Sequence, residues 1–285
     1  MKKTESDGEM SLADGIFIKN CREILDTGVW DLGQEVRPRW EDGEAAHSVK
    51  KFAMVNRYDL GVEFPALTLR RLPFKSCIAE ILWIWQKKSN NVNELDTRIW
   101  DAWADEAGSI GKAYGYQLGI KHKYAEGDFD QVDRVLYDLK HNPASRRIIT
   151  SLYNHEDLHG MNLYPCAYSM TFNVTEGRLN GILNQRSQDF LVANNWNVCQ
   201  YGILMHMLAQ VSGLAAGELV HVIADAHIYD RHVEIVEELV ARVPRPAPVL
   251  TINPDVKDFY DFKVEDFRLS EYKPHPFKIK IPVAV

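Results

Sequence analysis

Cys166 lies directly after Pro165 in the run LYPCAYSMTF, residues 163–172. Proline fixes its own φ and supplies no backbone donor, and the residues from Ala167 onward alternate with the period of a half-buried strand. A thiol at a strand entrance suits a nucleophile where a sheet opens to a cleft; a small buried hydrophobe reads the same way. Arginines flank that strand in sequence, Arg146-Arg147 before it and Arg186-Ser187, inside NQRSQD, after it. Guanidinium forks beside a hydroxyl fit a phosphate monoester, though solvated surface arginines give the same pattern. Glu80 stands inside CIAEILWIW, where every direction is apolar. Burial disfavours a charged carboxylate and raises its pKa toward neutrality, which suits a general acid; a structural glutamate at a helix margin is the plainer alternative. Asp225, His227 and Tyr229 alternate in ADAHIYDRH and so share a strand face. They form a pocket for a sugar hydroxyl or a satisfied core network. HEDLH, residues 155–159, matches the zinc-binding H-E-x-x-H pattern literally. Asn154 before it and Gly160 after it leave barely a helical turn, so it is a decoy, and no metal is expected.

The elements that must position these groups belong to one domain. The 285 residues are 46% hydrophobic and 26% charged, with no biased tract. A net charge of −7 argues against a surface that coats nucleic acid or a basic membrane face, so an anionic ligand must meet a local arginine cluster. The longest apolar run, IAEILWIW, falls far short of the roughly 20 residues of a membrane span. MKKTESDGEM has no apolar segment behind its lysines, so residues 1–11 read as a mobile polar extension, not a signal peptide. Cys21, Cys77, Cys166 and Cys199 lie far apart with no C-x-x-C pair, which fits a reducing cytoplasm. Cys77 and Cys199 read as core.

Apolar spacing predicts helices over 12–28, 74–86, 131–141, 197–212 and 230–243. Strands are expected around 50–57, in RRIITSLY, CAYSMTFNVT and LNGILNQRS, in ELVHVIADAHIY, and twice in the tail. Glu176-Gly177 marks a hairpin. Residues 31–48 read as an irregular loop and 87–130 as loop with short helices. The pattern is α+β, a single domain without repeats or linkers.

Together these pieces resemble the thymidylate synthase family, from about residue 12 to Val285. The resemblance rests on YPC at 164–166, Arg146-Arg147, QRSQD at 185–189, Asn197, DAHIY at 225–229 and the terminal PVAV. FKSCIAEILWIWQ, IWDAW and AYGYQLG add to it. It implies a homodimer through a large mixed sheet flanked by helices. It also implies conversion of dUMP and 5,10-methylenetetrahydrofolate to dTMP and dihydrofolate. On that resemblance Cys166 adds to C6 of uracil, activated by arginines that lower its pKa. Tyr114 removes the C5 proton through water, and Glu80 organises protons around O4. The folate supplies hydride, so no nicotinamide site is needed, and no glycine fingerprint for one occurs.

The same resemblance gives phosphate binding to Arg37, Arg186, Ser187 and the partner subunit's Arg146 and Arg147. His227 and Tyr229 take the 3′-hydroxyl, Asn197 reads the base, and Gln185 and Asp189 complete the nucleotide site. Ile99, Trp100, Trp103, Asp189, Ala193, Trp196, Ala284 and Val285 line the folate side, with Arg70 toward its glutamate tail. The sequence departs from the commonest family pattern at Ala167, where histidine often follows the cysteine, and at Gln188. VANNWN places Ala193 and Trp196 where glycine and phenylalanine are usual, and EVRPRWEDGEAAHS leaves Arg37 in competition with Arg39, with Arg37 preferred. The related dCMP enzymes place aspartate where this chain has Asn197, which favours uracil, and methylation over hydroxymethylation. Neither a membrane nor a nucleic acid is required as a partner.

Overall fold

The computed structural model describes residues 10–285. The extension expected over residues 1–11 lies outside the described residues as far as residue 9. Met10 bridges Pro246, and Ser11 caps α1 (Leu12–Thr27) by accepting from the Asp14 N–H at 3.2 Å. Phe17, Cys21 and Ile24 recur at helical spacing and turn inward. The chain passes through β1 (Val29–Trp30) and an irregular stretch to β2 (Ser48–Asp59), then to α2 (Phe74–Trp85). Cys77, Ile78, Glu80, Ile81, Leu82, Trp83, Ile84 and Trp85 are all buried, so α2 is covered on nearly every side. That is why its sequence lacks a polar stripe.

Residues 87–130 hold α3 (Gly115–Gly119) and a small hairpin, β3 (His122–Tyr124) and β4 (Gly127–Phe129), where only loop and short helix were expected. Each strand is three residues long and mostly exposed, so no apolar alternation marks it. There follow α4 (Gln131–His141), β5 (Ile148–Ser151), β6 (Ala167–Thr175), β7 (Arg178–Gln185) and β8 (Gln188–Asp189). The β6–β7 turn is Glu176-Gly177, with φ of 52° and 74°. Positive φ at both central residues matches the twist of a two-residue hairpin. Next come α5 (Asn194–Val211), β9 (Ala215–Tyr229), α6 (Val233–Val240), β10 (Val249–Ile252) and β11 (Phe267–Ser270). α5 and β9 each begin three residues earlier than the sequence pattern suggests. Arg146 and Arg147 precede β5 instead of opening it.

Seven strands form the main sheet in the order β1-β2-β9-β7-β6-β5, with β8 also paired to β9. β7 and β8 run parallel to β9 and the other neighbours are antiparallel, so the sheet is mixed. The end of β7, the start of β6 and the late part of β9 therefore meet at one end. A register shift between Ala167 and Ser169 breaks the β6–β7 ladder directly after Cys166, and such a bulge re-aims neighbouring side chains. α5 packs against α2 on one side and β9 and β7 on the other. Phe172 of β6, 1% exposed, meets Trp85 edge-on with ring centroids 6.3 Å apart. Phe172→Ala is expected to cost about 3–5 kcal/mol in denaturant unfolding, because the surrounding helix and sheet cannot close the space. An unchanged midpoint would show that this contact does not hold α2 to the sheet.

Candidate active site

Cys166 is half-buried at the mouth of β6, and its neighbours come from three segments. Its N–H donates to the Tyr114 hydroxyl at 3.0 Å. Arg186, just past β7, directs Nη2 to the Cys166 sulfur at 3.8 Å and also to the Tyr164 carbonyl at 2.7 Å. Its Nε donates to the Pro165 carbonyl at 3.1 Å, so the guanidinium is fixed by the backbone of the YPC segment itself. Burial pushes the Cys166 thiol above its ordinary pKa, and the charges of Arg186 and Arg37 and the Tyr114 hydroxyl pull it back only in part. The lowered pKa expected from the arginines alone is thus corrected. Tyr114 is buried at the head of α3 with φ of 46°, a sparsely populated conformation for a residue with a side chain. Burial holds its phenol well above the usual value, so it can relay a proton but is not a resident phenolate.

Glu80 is 4% exposed, and its surroundings are polar where the sequence suggests only apolar contact. Trp196 Nε1 donates to its Oε2 at 3.1 Å, and Gln200 and Trp100 face it. Burial raises its pKa to about 7, against the opposing pull of those three donors. Asn197 sits in the first turn of α5, with Oδ1 accepting from Gln185 at 3.3 Å and from Gln188 at 3.5 Å. Its Nδ2 donates to Gln200 Oε1 at 3.1 Å. The Trp100 ring meets those of Tyr114 and Trp103 at 5.1 and 5.9 Å, which extends an aromatic wall from the cysteine outward. Ile99 is exposed at its rim.

β8 lays Asp189 beside His227 of β9. Asp189 Oδ1 accepts from the N–H groups of Leu191 and Val192, each at 3.0 Å, and lies 3.7 Å from His232 Nδ1. Burial would raise its pKa, but His232, His227 and the backbone donor outweigh it and hold the carboxylate low. Ala193 closes this turn by donating its N–H to the Asp189 carbonyl at 3.0 Å, on the approach to Trp196. His227 Nδ1 meets Asp225 Oδ1 at 2.8 Å, and its ring lies 5.0 Å from that of Tyr229. Alternation on one strand face therefore brings all three together. His232 Nε2 reaches the Pro282 carbonyl at 2.8 Å, and the backbones of Arg39 and Val285 pair at 2.9 and 3.0 Å. That pairing ties the terminal Ala284-Val285 to the site and commits Arg39 through its main chain, while the charge of Arg37 is felt at Cys166 and Tyr229.

Some expected residues stand apart. Arg146 and Arg147 are exposed on this chain and make no ion pair among the described residues. Arg70 turns inward, with Nη2 donating to the Leu191 carbonyl at 2.5 Å and Nε sealed from solvent. In this conformation it braces the loop after Asp189 and does not extend toward a ligand's tail. Residues 155–159 form a turn and one short 3₁₀ turn, so His155 and His159 do not share a helical face. Gln200, His221 and His232 are site neighbours that sequence reasoning passed over. Gln200 lies three residues after Asn197, a spacing that puts both on one helix face and marks it in retrospect.

The family model described as thymidylate synthase matches residues 15–285. The chain belongs to the thymidylate synthase family. It is 45% identical over 281 residues to a thymidylate synthase of Bacillus licheniformis, covering 97% of this chain and 100% of that one. Thymidylate synthase 1 of Bacillus subtilis strain 168 is 44% identical with the same coverage. The solved structure of the thermostable thymidylate synthase A from Bacillus subtilis superposes with a TM-score of 0.91 at 42% identity, covering 96% of this chain and 99% of that one. Thymidylate synthases make dTMP with a folate co-substrate. Among the described residues no helix is long and apolar enough to cross a membrane.

Proposed function

We propose that this chain makes dTMP by reductive methylation of dUMP with 5,10-methylenetetrahydrofolate, releasing dihydrofolate, as a cytoplasmic homodimer. The observation that carries this reading is the fixed Arg186 guanidinium over the Cys166 sulfur, 3.8 Å away. It pairs a nucleophile with an anion site in one pocket. Arg186, Ser187 and Arg37 hold the phosphate, and His227 and Tyr229 hold the 3′-hydroxyl. The free thiol is protonated near neutral pH, so Arg186, Arg37 and Tyr114 favour the thiolate, its proton passing to water, as the sulfur adds to C6 and the C5–C6 π electrons move toward C5 and O4. Glu80 holds a proton at its buried carboxyl against O4, and Tyr114 passes on the C5 proton through water. The indoles of Trp100 and Trp103, the half-buried Asp189 and the tethered Val285 fit a flat, hydrogen-bonding ring. Folate bound there supplies the one-carbon unit and the hydride. The row Ile149, Thr171, Ile182, Val220 crosses the sheet in register, and Val55 lies on the same face. Ile149, Ile182 and Val55 are exposed, which supports a partner sheet packed there.

Incubation with dUMP and methylenetetrahydrofolate should raise dihydrofolate absorbance, and the nucleotide should gain the mass of a methyl group. A hydroxymethyl gain would transfer the reading to hydroxymethylation. Asn197 offers a carbonyl and an NH₂ to the N3–H and O4 of uracil. Asn197→Asp loses the donor to O4, a mismatch of about 1–3 kcal/mol. The preference for dUMP over dCMP, measured as a ratio of kcat/KM values, should fall roughly ten- to hundredfold. An unchanged ratio would show that Asn197 does not read the base.

A further inference from the structure

Gln200 is 1% exposed on α5 and lies between two groups that the proposed reaction uses. Its Oε1 accepts from Asn197 at 3.1 Å. Its Nε2 is sealed from solvent and faces the Glu80 carboxyl without closing a full hydrogen bond. On the far side of Asn197 the amides continue. Gln185 and Gln188 both donate to Asn197 Oδ1, at 3.3 and 3.5 Å, and Gln185 Oε1 contacts Nε2 of the fully buried His221.

The sense of the amides in this chain is set beside Asn197, where Gln188 Nε2 also donates to the Asp189 backbone carbonyl at 3.2 Å, and a backbone carbonyl only accepts. Burial holds His221 neutral, with a pKa of about 3. A neutral imidazole can donate from Nε2, which suits the Gln185 carbonyl once the Gln185 NH₂ is turned to Asn197. The Gln185 NH₂ then points to Asn197 Oδ1, the Asn197 NH₂ to Gln200 Oε1, and the Gln200 NH₂ to Glu80. Turning over any one amide would set acceptor against acceptor and donor against donor. A uracil edge meets this fixed sense, whereas cytosine, with a bare N3 and an amino group, needs the opposite one.

We infer that Gln200 is a positioning residue that joins Asn197 to Glu80, orienting both toward the same edge of the pyrimidine. This rests on the roles proposed above for those two residues. The groups around Glu80 are Trp196, Gln200 and Tyr201 from α5, Trp100 from the segment between α2 and α3, and Cys77 from its own helix. Burial keeps Cys77 and Tyr201 uncharged, so among the described residues Gln200 and the two indoles stabilise the carboxylate.

Two substitutions separate the two ends of Gln200. Gln200→Met keeps length but loses both polar ends, so the Asn197 NH₂ loses the acceptor that aims it and Glu80 loses a donor. Gln200→Glu keeps an acceptor for Asn197 but presents an acid to Glu80. Binding of dUMP and dCMP is measured by calorimetry. Glu80 is followed by the infrared band of its protonated carboxyl, in difference against Glu80→Gln. Gln200→Met should lower the dUMP preference roughly tenfold and move the Glu80 titration to higher pH. Gln200→Glu should keep the preference and still move the titration upward, since a neighbouring acid disfavours the second charge. If the wild-type chain does not prefer dUMP, the reading of Asn197 fails and takes this inference with it. If it does, and both variants leave the Glu80 titration in place, or Gln200→Glu loses the preference as Gln200→Met does, Gln200 does not position these groups. Should Gln200→Met fail to fold, the titration of Gln200→Glu alone decides.

Discussion

Cys166→Ala should abolish dTMP formation, by at least about 10⁴-fold, while the protein folds and still binds dUMP. Loss of a nucleophile that acts as one unit with its surroundings removes nearly all of the chemical acceleration, and in the proposed mechanism Cys166 alone forms the bond to C6. The binding groups are elsewhere. Arg186 keeps its hold on the Tyr164 and Pro165 carbonyls without the sulfur, and Asn197 keeps Gln185, Gln188 and Gln200. The Cys166 N–H, which meets Tyr114, is backbone and survives the substitution. Cys166 is also half-buried, so little packing is lost. Cys21, Cys77 and Cys199 are each fully buried and far from acting as thiolates. Their alanine variants should keep activity and lose about 1 kcal/mol of stability each. Single-turnover product formation and dUMP calorimetry check the first claim, and denaturant midpoints check the second. Near-normal turnover in folded Cys166→Ala would remove the mechanism proposed here.

The parts of this site that were legible in the sequence are those that depend on local period. CIAEILWIW left Glu80 no polar direction, and the structure buries it with a pKa near 7. Alternation in ADAHIY put Asp225, His227 and Tyr229 together, and Pro165 placed Cys166 directly ahead of β6. What depends on long-range distances was not legible. The Cys166 thiol is a balance between burial and two guanidinium charges, and no spacing in the chain says which wins. Similarly, Arg70 reads as an outward cation until the loop after Asp189 folds across it and takes its donor. The β3–β4 hairpin lacks an apolar face, so its only signal is in the tertiary structure. Asn197 was named by resemblance, but the amides that surround it come from β7, β8 and α5, which the fold alone unites.

We propose that the site is shared across a dimer, so activity should return when two inactive variants exchange subunits. A chain of net charge −7 must gather positive charge to hold a phosphate dianion, and Arg186 with Arg37 supplies little. Arg146 and Arg147, exposed and without ion pairs among the described residues, are available to a neighbour. A two-fold axis makes such an exchange reciprocal. Arg147→Glu removes one favourable charge from the partner's pocket and adds a repulsive one, which should cripple phosphate capture. Cys166→Ala cripples the chemistry within its own pocket. In a heterodimer of the two, one pocket carries both lesions and the other carries neither. Random exchange leaves half the dimers mixed with one working pocket each, so about a quarter of wild-type activity should appear. The measurement is turnover after mixing, with mass spectrometry to verify the heterodimer. If verified heterodimers stay inactive, Arg147 does not reach across the interface, and the phosphate must be held by Arg186, Arg37 and Ser187 of one chain alone.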